Sequence, residues 1–155
     1  IVRSMPNIPI QIGEGMTVFC TSNVVDRKEL FIVQNLINTT GKSIYIEKEE
    51  MLNAATAVSG SGPAYVFYFM QAMIESAVKL GFSLSEAEFL VSQTFSGSVQ
   101  LQNRSKLSNE AWIQRVASKG GTTEAALLVF NKNELQEIVI EGIEAANARA
   151  LELGS

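Results

Sequence analysis

Ala64-Tyr65-Val66-Phe67-Tyr68-Phe69-Met70-Gln71-Ala72-Met73-Ile74 leaves only Gln71 polar. The helix punctuation Gly60-Ser61-Gly62-Pro63 stands just before it, and Pro63 suits a first helical turn. A helix that is apolar all round has to be buried on every side, and about eleven residues fall well short of the roughly 20 that cross a bilayer. A small bundle does not easily surround one of its own helices. A second copy of the chain is therefore favoured as the cover over a central intrachain helix. The stretch predicts a mainly α fold and a homodimer.

Outward from this segment, everything from Glu49 onward reads as helix, with breaks at Gly60 to Pro63, Gly81 to Ser85, Ser105 to Ser108, Gly120-Gly121 and Asn131 to Asn133. Five or six helices result. Ser83 with Glu86, and Asn133 with Gln136, have the spacing of a capping box. The last helix, from about Glu134 to Leu153, places Leu135, Val139, Ile143, Ala146, Ala150 and Leu153 on one face. Towards the N-terminus the pattern changes. Met16 to Ser22 is an apolar run of β-formers, Asp26 can cap a helix through about Asn38, Gly41 can end that helix, and Ser43 to Glu47 alternates. This is a strand, helix, strand unit.

Ser118-Lys119-Gly120-Gly121-Thr122-Thr123 stands just ahead of the apolar pattern Ala125 to Phe130. Two glycines permit positive φ and close approach to the backbone, and the first amides of a helix have no partner within it, so the loop can cradle an anion. A Gly-rich turn with a threonine N-cap explains the same letters and is the commoner occurrence. Both readings stand at this level. Gly60-Ser61-Gly62 fails as a dinucleotide fingerprint, because Tyr65 takes the third glycine position and no strand leads in. It reads as a junction where backbones pass closely. Thr40-Gly41-Lys42-Ser43 fails as a P-loop, since Leu36 occupies its first glycine position.

The composition narrows the chemistry. A net charge of −4 with no Lys/Arg cluster argues against nucleic acid and anionic membrane as partners. With no histidine and Cys20 as the sole cysteine, the usual transition-metal ligands and Ser-His or Cys-His nucleophiles are missing, so no metal site is expected. Cys20 inside an apolar run reads as a buried thiol in a reducing compartment, by default the cytoplasm. The chain opens Ile-Val-Arg and shows no signal peptide, so it reads as a piece of a longer protein.

Met5-Pro6-Asn7-Ile8-Pro9, Gly13-Glu14-Gly15, Ala57-Val58-Ser59-Gly60-Ser61-Gly62-Pro63-Ala64-Tyr65 and Val116 to Leu127 together resemble pyrroline-5-carboxylate reductase. The resemblance runs from the first residue to about Leu153. It implies an enzyme that makes proline by passing a hydride from NADPH or NADH to the C=N carbon of 1-pyrroline-5-carboxylate, without a metal. It also implies a Rossmann domain followed by a helical dimerisation domain, with some members forming decamers. Residues 1–47 would then be the tail of the Rossmann domain and residues 48–155 the dimerisation and substrate-binding domain.

The Rossmann fingerprint is not in this sequence, and the chain alone is expected to be inactive. By resemblance Ser118, Gly120, Gly121, Thr122 and Thr123 receive the substrate carboxylate, and Thr123 places its hydroxyl near the ring nitrogen. Met5, Pro6 and Asn7 lie near the nicotinamide end of the cofactor, although as bare residues they make an ordinary turn. Ile8 and Lys119 depart from the threonine and proline usual at those positions. A helical dimerisation module without catalysis is the alternative function.

Overall fold

A computed structural model describes residues 1–154, which fall into two compact units: Ile1–Val66 with the segment from Ile140 onward, and Phe67–Val139. The first unit is organised by a three-stranded sheet in the order β1 (Val2–Met5), β2 (Gly15–Thr21), β3 (Gly41–Tyr45). β1 runs antiparallel to β2 with Met5 opposite Val18, and β2 runs parallel to β3 with Val18 opposite Ile44. The expected strand, helix, strand unit is present, with α1 (Arg27–Ile37) as its crossover. Asp26 caps α1 reciprocally: its carboxylate accepts from the Glu29 amide at 2.8 Å, and the Glu29 carboxylate accepts from the Asp26 amide at 3.0 Å.

As the middle strand, β2 buries Thr17, Val18, Phe19 and Cys20 in succession. A strand covered on both faces needs a continuous apolar run, not an alternating one. Phe19 is fully buried and meets the Tyr45 ring edge-on at 5.6 Å between centroids. Val18 and Cys20, on the opposite face by strand periodicity, pack with Leu52 inside a rim of Met5, Ile46 and Ala55.

Gly41 does not cap α1. The helix ends at Ile37, a 3-10 turn covers Asn38–Thr40, and Gly41 opens β3 opposite Gly15 with φ of 146°. A Cβ on Gly41 would run into the Gly15 backbone. The residue is glycine because two main chains meet there at a backbone angle that side chains rarely adopt.

Six helices follow the sheet, as the sequence predicts: α2 (Met51–Ala55), α3 (Gly62–Lys79), α4 (Leu84–Asn103), α5 (Asn109–Val116), α6 (Thr122–Lys132) and α7 (Leu135–Gly154). Between α2 and α3, residues Thr56–Gly60 wind as a π-helix, marked by a Ser61 amide to Thr56 carbonyl bond of 2.8 Å. The Ser83 and Glu86 box forms at the start of α4, and its bonds hold the Glu86 carboxyl below its ordinary value.

Asn133 does not cap α7. Its amide turns back to the Val129 carbonyl at 2.8 Å, and Glu134, at φ 53°, makes the corner between α6 and α7. The stripe expected on α7 is nonetheless real: Leu135, Val139, Ile143, Ala146 and Ala150 are half-buried, and Leu153 alone of the set is exposed.

α3 is not buried on every side within one chain. Phe67 is 63% exposed and Tyr68 77%. In the whole second unit only Ala87 and Val91, both on α4, are buried. Trp112 of α5 borders a cavity of about 280 Å³ with Leu101, Ile113 and Val116, and the Arg115 guanidinium lies 5.5 Å from its ring centroid. The Trp112 indole N–H is buried without a partner among the described residues.

Candidate functional site

The loop between α5 and α6 is a tight backbone turn. Ser108 caps α5 by accepting from the Ala111 amide, and the helix ends at Val116 with Ala117 extended. The Gly121 amide then donates to the Ser118 carbonyl at 2.9 Å. Each glycine has its own reason. Gly120 sits at φ 74°, and a Cβ on Gly121 would come within 2.5 Å of the Ser118 hydroxyl oxygen.

Gly121 occupies the cap position of α6 and no side chain caps the helix. The threonine cap that competed with the anion cradle is therefore not formed: Thr122 and Thr123 are the first two helical residues. Their amides and that of Glu124 have no acceptor among the described residues, because the first bond of the helix runs from Ala125 to Gly121 at 3.2 Å. Neither threonine hydroxyl makes a hydrogen bond among the described residues; Thr123 is half-buried and Thr122 exposed.

Three unpaired amides at the positive end of a helix, with two free hydroxyls beside them, can hold a carboxylate. Ser118 and Lys119 are exposed at the rim. The Gly120 amide differs from the other three, for it donates to the Glu124 carboxylate at 2.7 Å. Glu124 was not among the expected site residues. An acidic residue three positions after the glycine cap is the signal that could have found it.

The Met5, Pro6 and Asn7 segment belongs to the first unit. Asn7 is held at both ends of its side chain: its side-chain amide donates to the Ser59 carbonyl at 3.1 Å and its oxygen accepts from the Met16 amide at 2.9 Å. It ties the exit of β1 to the start of β2 and to the π-helix. Met5 lies against Gly60, where an added Cβ would be 3.4 Å from its sulfur. The close approach at Gly60 is thus to a side chain, not to a second backbone. The segment offers a ligand apolar surface and main chain. The contact between Asn7 and Ser59, residues far apart in sequence, had no local signal.

Among the described residues no three His, Cys, Asp or Glu side chains converge as a metal site, and no helix is long and apolar enough to cross a membrane.

Residues 49–153 match the family described as pyrroline-5-carboxylate reductase dimerisation. Over 155 residues, 99% of the chain, the sequence is 37% identical to a pyrroline-5-carboxylate reductase of Vibrio alginolyticus, covering 57% of that protein. It is 36% identical to that of Pseudomonas aeruginosa over 99% of the chain and 56% of the relative. The chain thus spans a little over half the length of the curated relatives it matches. Among solved structures, the reductase of Coxiella burnetii superposes with a TM-score of 0.95 at 36% identity, over 99% of this chain and 57% of that one. The Plasmodium falciparum pyrroline carboxylate reductase with NADP bound gives 0.94 at 35% identity, over 100% and 63%.

Proposed function

We propose that this chain, which belongs to the pyrroline-5-carboxylate reductase family, supplies the substrate-carboxylate loop and the dimer contacts of an enzyme that reduces 1-pyrroline-5-carboxylate to L-proline. The observation that carries this reading is the start of α6, where the Thr122, Thr123 and Glu124 amides are left without acceptors among the described residues after a turn whose φ at Gly120 and crowding at Gly121 favour glycine. A carboxylate held by such amides gains about 1.5–3 kcal/mol per charge-assisted bond, enough to select a small amino acid. Residues 1–47 are assigned to the end of a nucleotide-binding domain and 48–155 to the helical dimerisation domain, in keeping with a family match that begins at residue 49.

NADPH or NADH, when bound, supplies the hydride that adds to the C=N carbon. The residues present fit only its nicotinamide end: Met5, Pro6 and Asn7 can border a flat ring, whereas Gly60-Ser61-Gly62 runs from the π-helix into α3 with no strand leading in. Asn7 shapes this edge and keeps a second side-chain N–H with which to meet the cofactor. The loop before α6 has a separate task, which is to fix the acceptor. The loop amides orient the carboxylate, and the unengaged Thr123 hydroxyl orients the ring nitrogen and its proton. Little more is needed from side chains when the bound geometry is right, so the lack of histidine is no obstacle.

The exposed aromatic face of α3 supports a homodimer, since contiguous large apolar side chains mark an interface. The buried free thiol of Cys20 supports a reducing compartment, the cytoplasm.

L-proline titrated into the isotopically labelled chain is expected to shift the Thr122 and Thr123 amides; an unchanged loop overturns the carboxylate assignment. In the chain joined to a nucleotide-binding domain, Thr123→Ala is expected to lower kcat by about a hundredfold. Unchanged kinetics would remove Thr123 from the reaction. Sedimentation as a monomer at micromolar concentration would refute the dimer.

A further inference from the structure

We propose that Glu124 is a positioning residue for the carboxylate-receiving loop: its carboxylate holds the Gly120 amide, fixing the Gly120-Gly121 turn and leaving the Thr122, Thr123 and Glu124 amides as the donors for the ligand. This rests on the reading of the loop given above and changes it at one atom. Gly120, expected among the donors, is committed within the chain.

An acidic side chain at the third helical position usually returns to the amide of the cap residue. Here that amide belongs to Gly121 and is already given to the Ser118 carbonyl at 2.9 Å. Glu124 reaches one residue further and takes Gly120 at 2.7 Å, the separation of a charge-assisted bond. The two bonds divide the work. Gly121 to Ser118 closes the turn, and Gly120 to Glu124 pins the turn to the helix that follows it.

Two adjacent glycines lose more backbone freedom on ordering than any other pair, so a loop built on them is the place where such a pin matters. Ser118 and Lys119 make no competing side-chain hydrogen bond among the described residues. A carboxylate acting as an internal stand-in for the ligand would lie on the unpaired amides of Thr122 to Glu124. Glu124 leaves those three open, and the pin is the role its geometry favours.

Nitrogen-15-labelled wild-type chain, Glu124→Gln and Glu124→Ala are compared without ligand and with L-proline. Without ligand, the Gly120 amide exchanges slowly with solvent in wild type and Glu124→Gln, whose side-chain oxygen still accepts, and about tenfold faster in Glu124→Ala. With proline, Thr122 and Thr123 shift more than Gly120, Glu124→Ala raises Kd about tenfold, and Glu124→Gln stays within about threefold of wild type. The proposal is overturned if Gly120 exchanges alike in all three chains, if it shifts more than Thr122 and Thr123, or if Glu124→Ala binds proline as wild type does. Absence of any proline response in wild type would instead refute the carboxylate reading of the loop, and the exchange rates would still decide whether Glu124 holds Gly120.

Discussion

The sheet of the first unit and the helices of the second handle apolar residues in opposite ways. β2 buries four residues in a row and Phe19 completely, under cover that the same unit provides. α3 carries a denser run of large apolar side chains, yet Phe67 and Tyr68 stay mostly in water and the second unit buries only Ala87 and Val91. Hydrophobic content in a sequence therefore says that a surface will be covered, not that its own chain covers it.

One chemical change made in both regions is the strongest test of that contrast. Phe19→Ala is expected to cost about 3–5 kcal/mol in denaturant unfolding, independent of protein concentration. Phe67→Ala is expected to weaken self-association by roughly tenfold or more in sedimentation, with a stability loss that depends on concentration. Equal, concentration-independent losses at both sites would break the comparison.

Next in size is Gly41→Ala, where an unfavourable backbone angle and a collision with Gly15 should together cost about 2–4 kcal/mol in thermal unfolding of the sheet. A loss below about 1 kcal/mol would show that the Gly15 and Gly41 chains can part. Asn7→Ala removes two hydrogen bonds, one to the start of β2 and one to the π-helix, and about 1–3 kcal/mol of stability should go with them. Hydrogen exchange at the Met16 amide, faster in the variant, is the local check.

The smallest effect is expected in the second unit, at the α4 cap. The Ser83 hydroxyl and amide bonds lower the Glu86 carboxyl from its ordinary value of 4.5, so the unfolded chain takes up the proton more readily than the folded one. The contribution is present above about pH 4.5 and fades as pH falls through the lower folded value. Acid titration of helicity in wild type should show this fading, and Glu86→Gln should lack it.

Features set by near neighbours were legible in the sequence. The strand, helix, strand unit, the cap at Asp26, the capping box at Ser83, the breaks between helices and the α7 stripe through Ala150 all follow from spacing over a few residues. Features set by distant contacts were not. The π-helix at Thr56–Gly60 is held through Ser59 by Asn7, and the Gly41 angle is demanded by Gly15; neither partner is near in sequence. Asn133 and Gly41 show the same limit, since a side chain able to cap a helix end does so only if the chain turns that way. At the loop, the two glycines and the free helix amides were readable from the letters, whereas the destination of the Gly120 amide turned on one rotamer of Glu124.

Trp112 gives the second unit an optical handle. It is the sole tryptophan, its indole N–H is shielded without a hydrogen-bond partner among the described residues, and a guanidinium stands over its ring. Its helix ends at Val116, two residues before Ser118. Indole emission from the unlabelled protein therefore comes from one fluorophore at the foot of the ligand loop, beside a cation. Rearrangement of that loop, or the arrival of an acceptor for the indole N–H, should change its colour or intensity with no added dye.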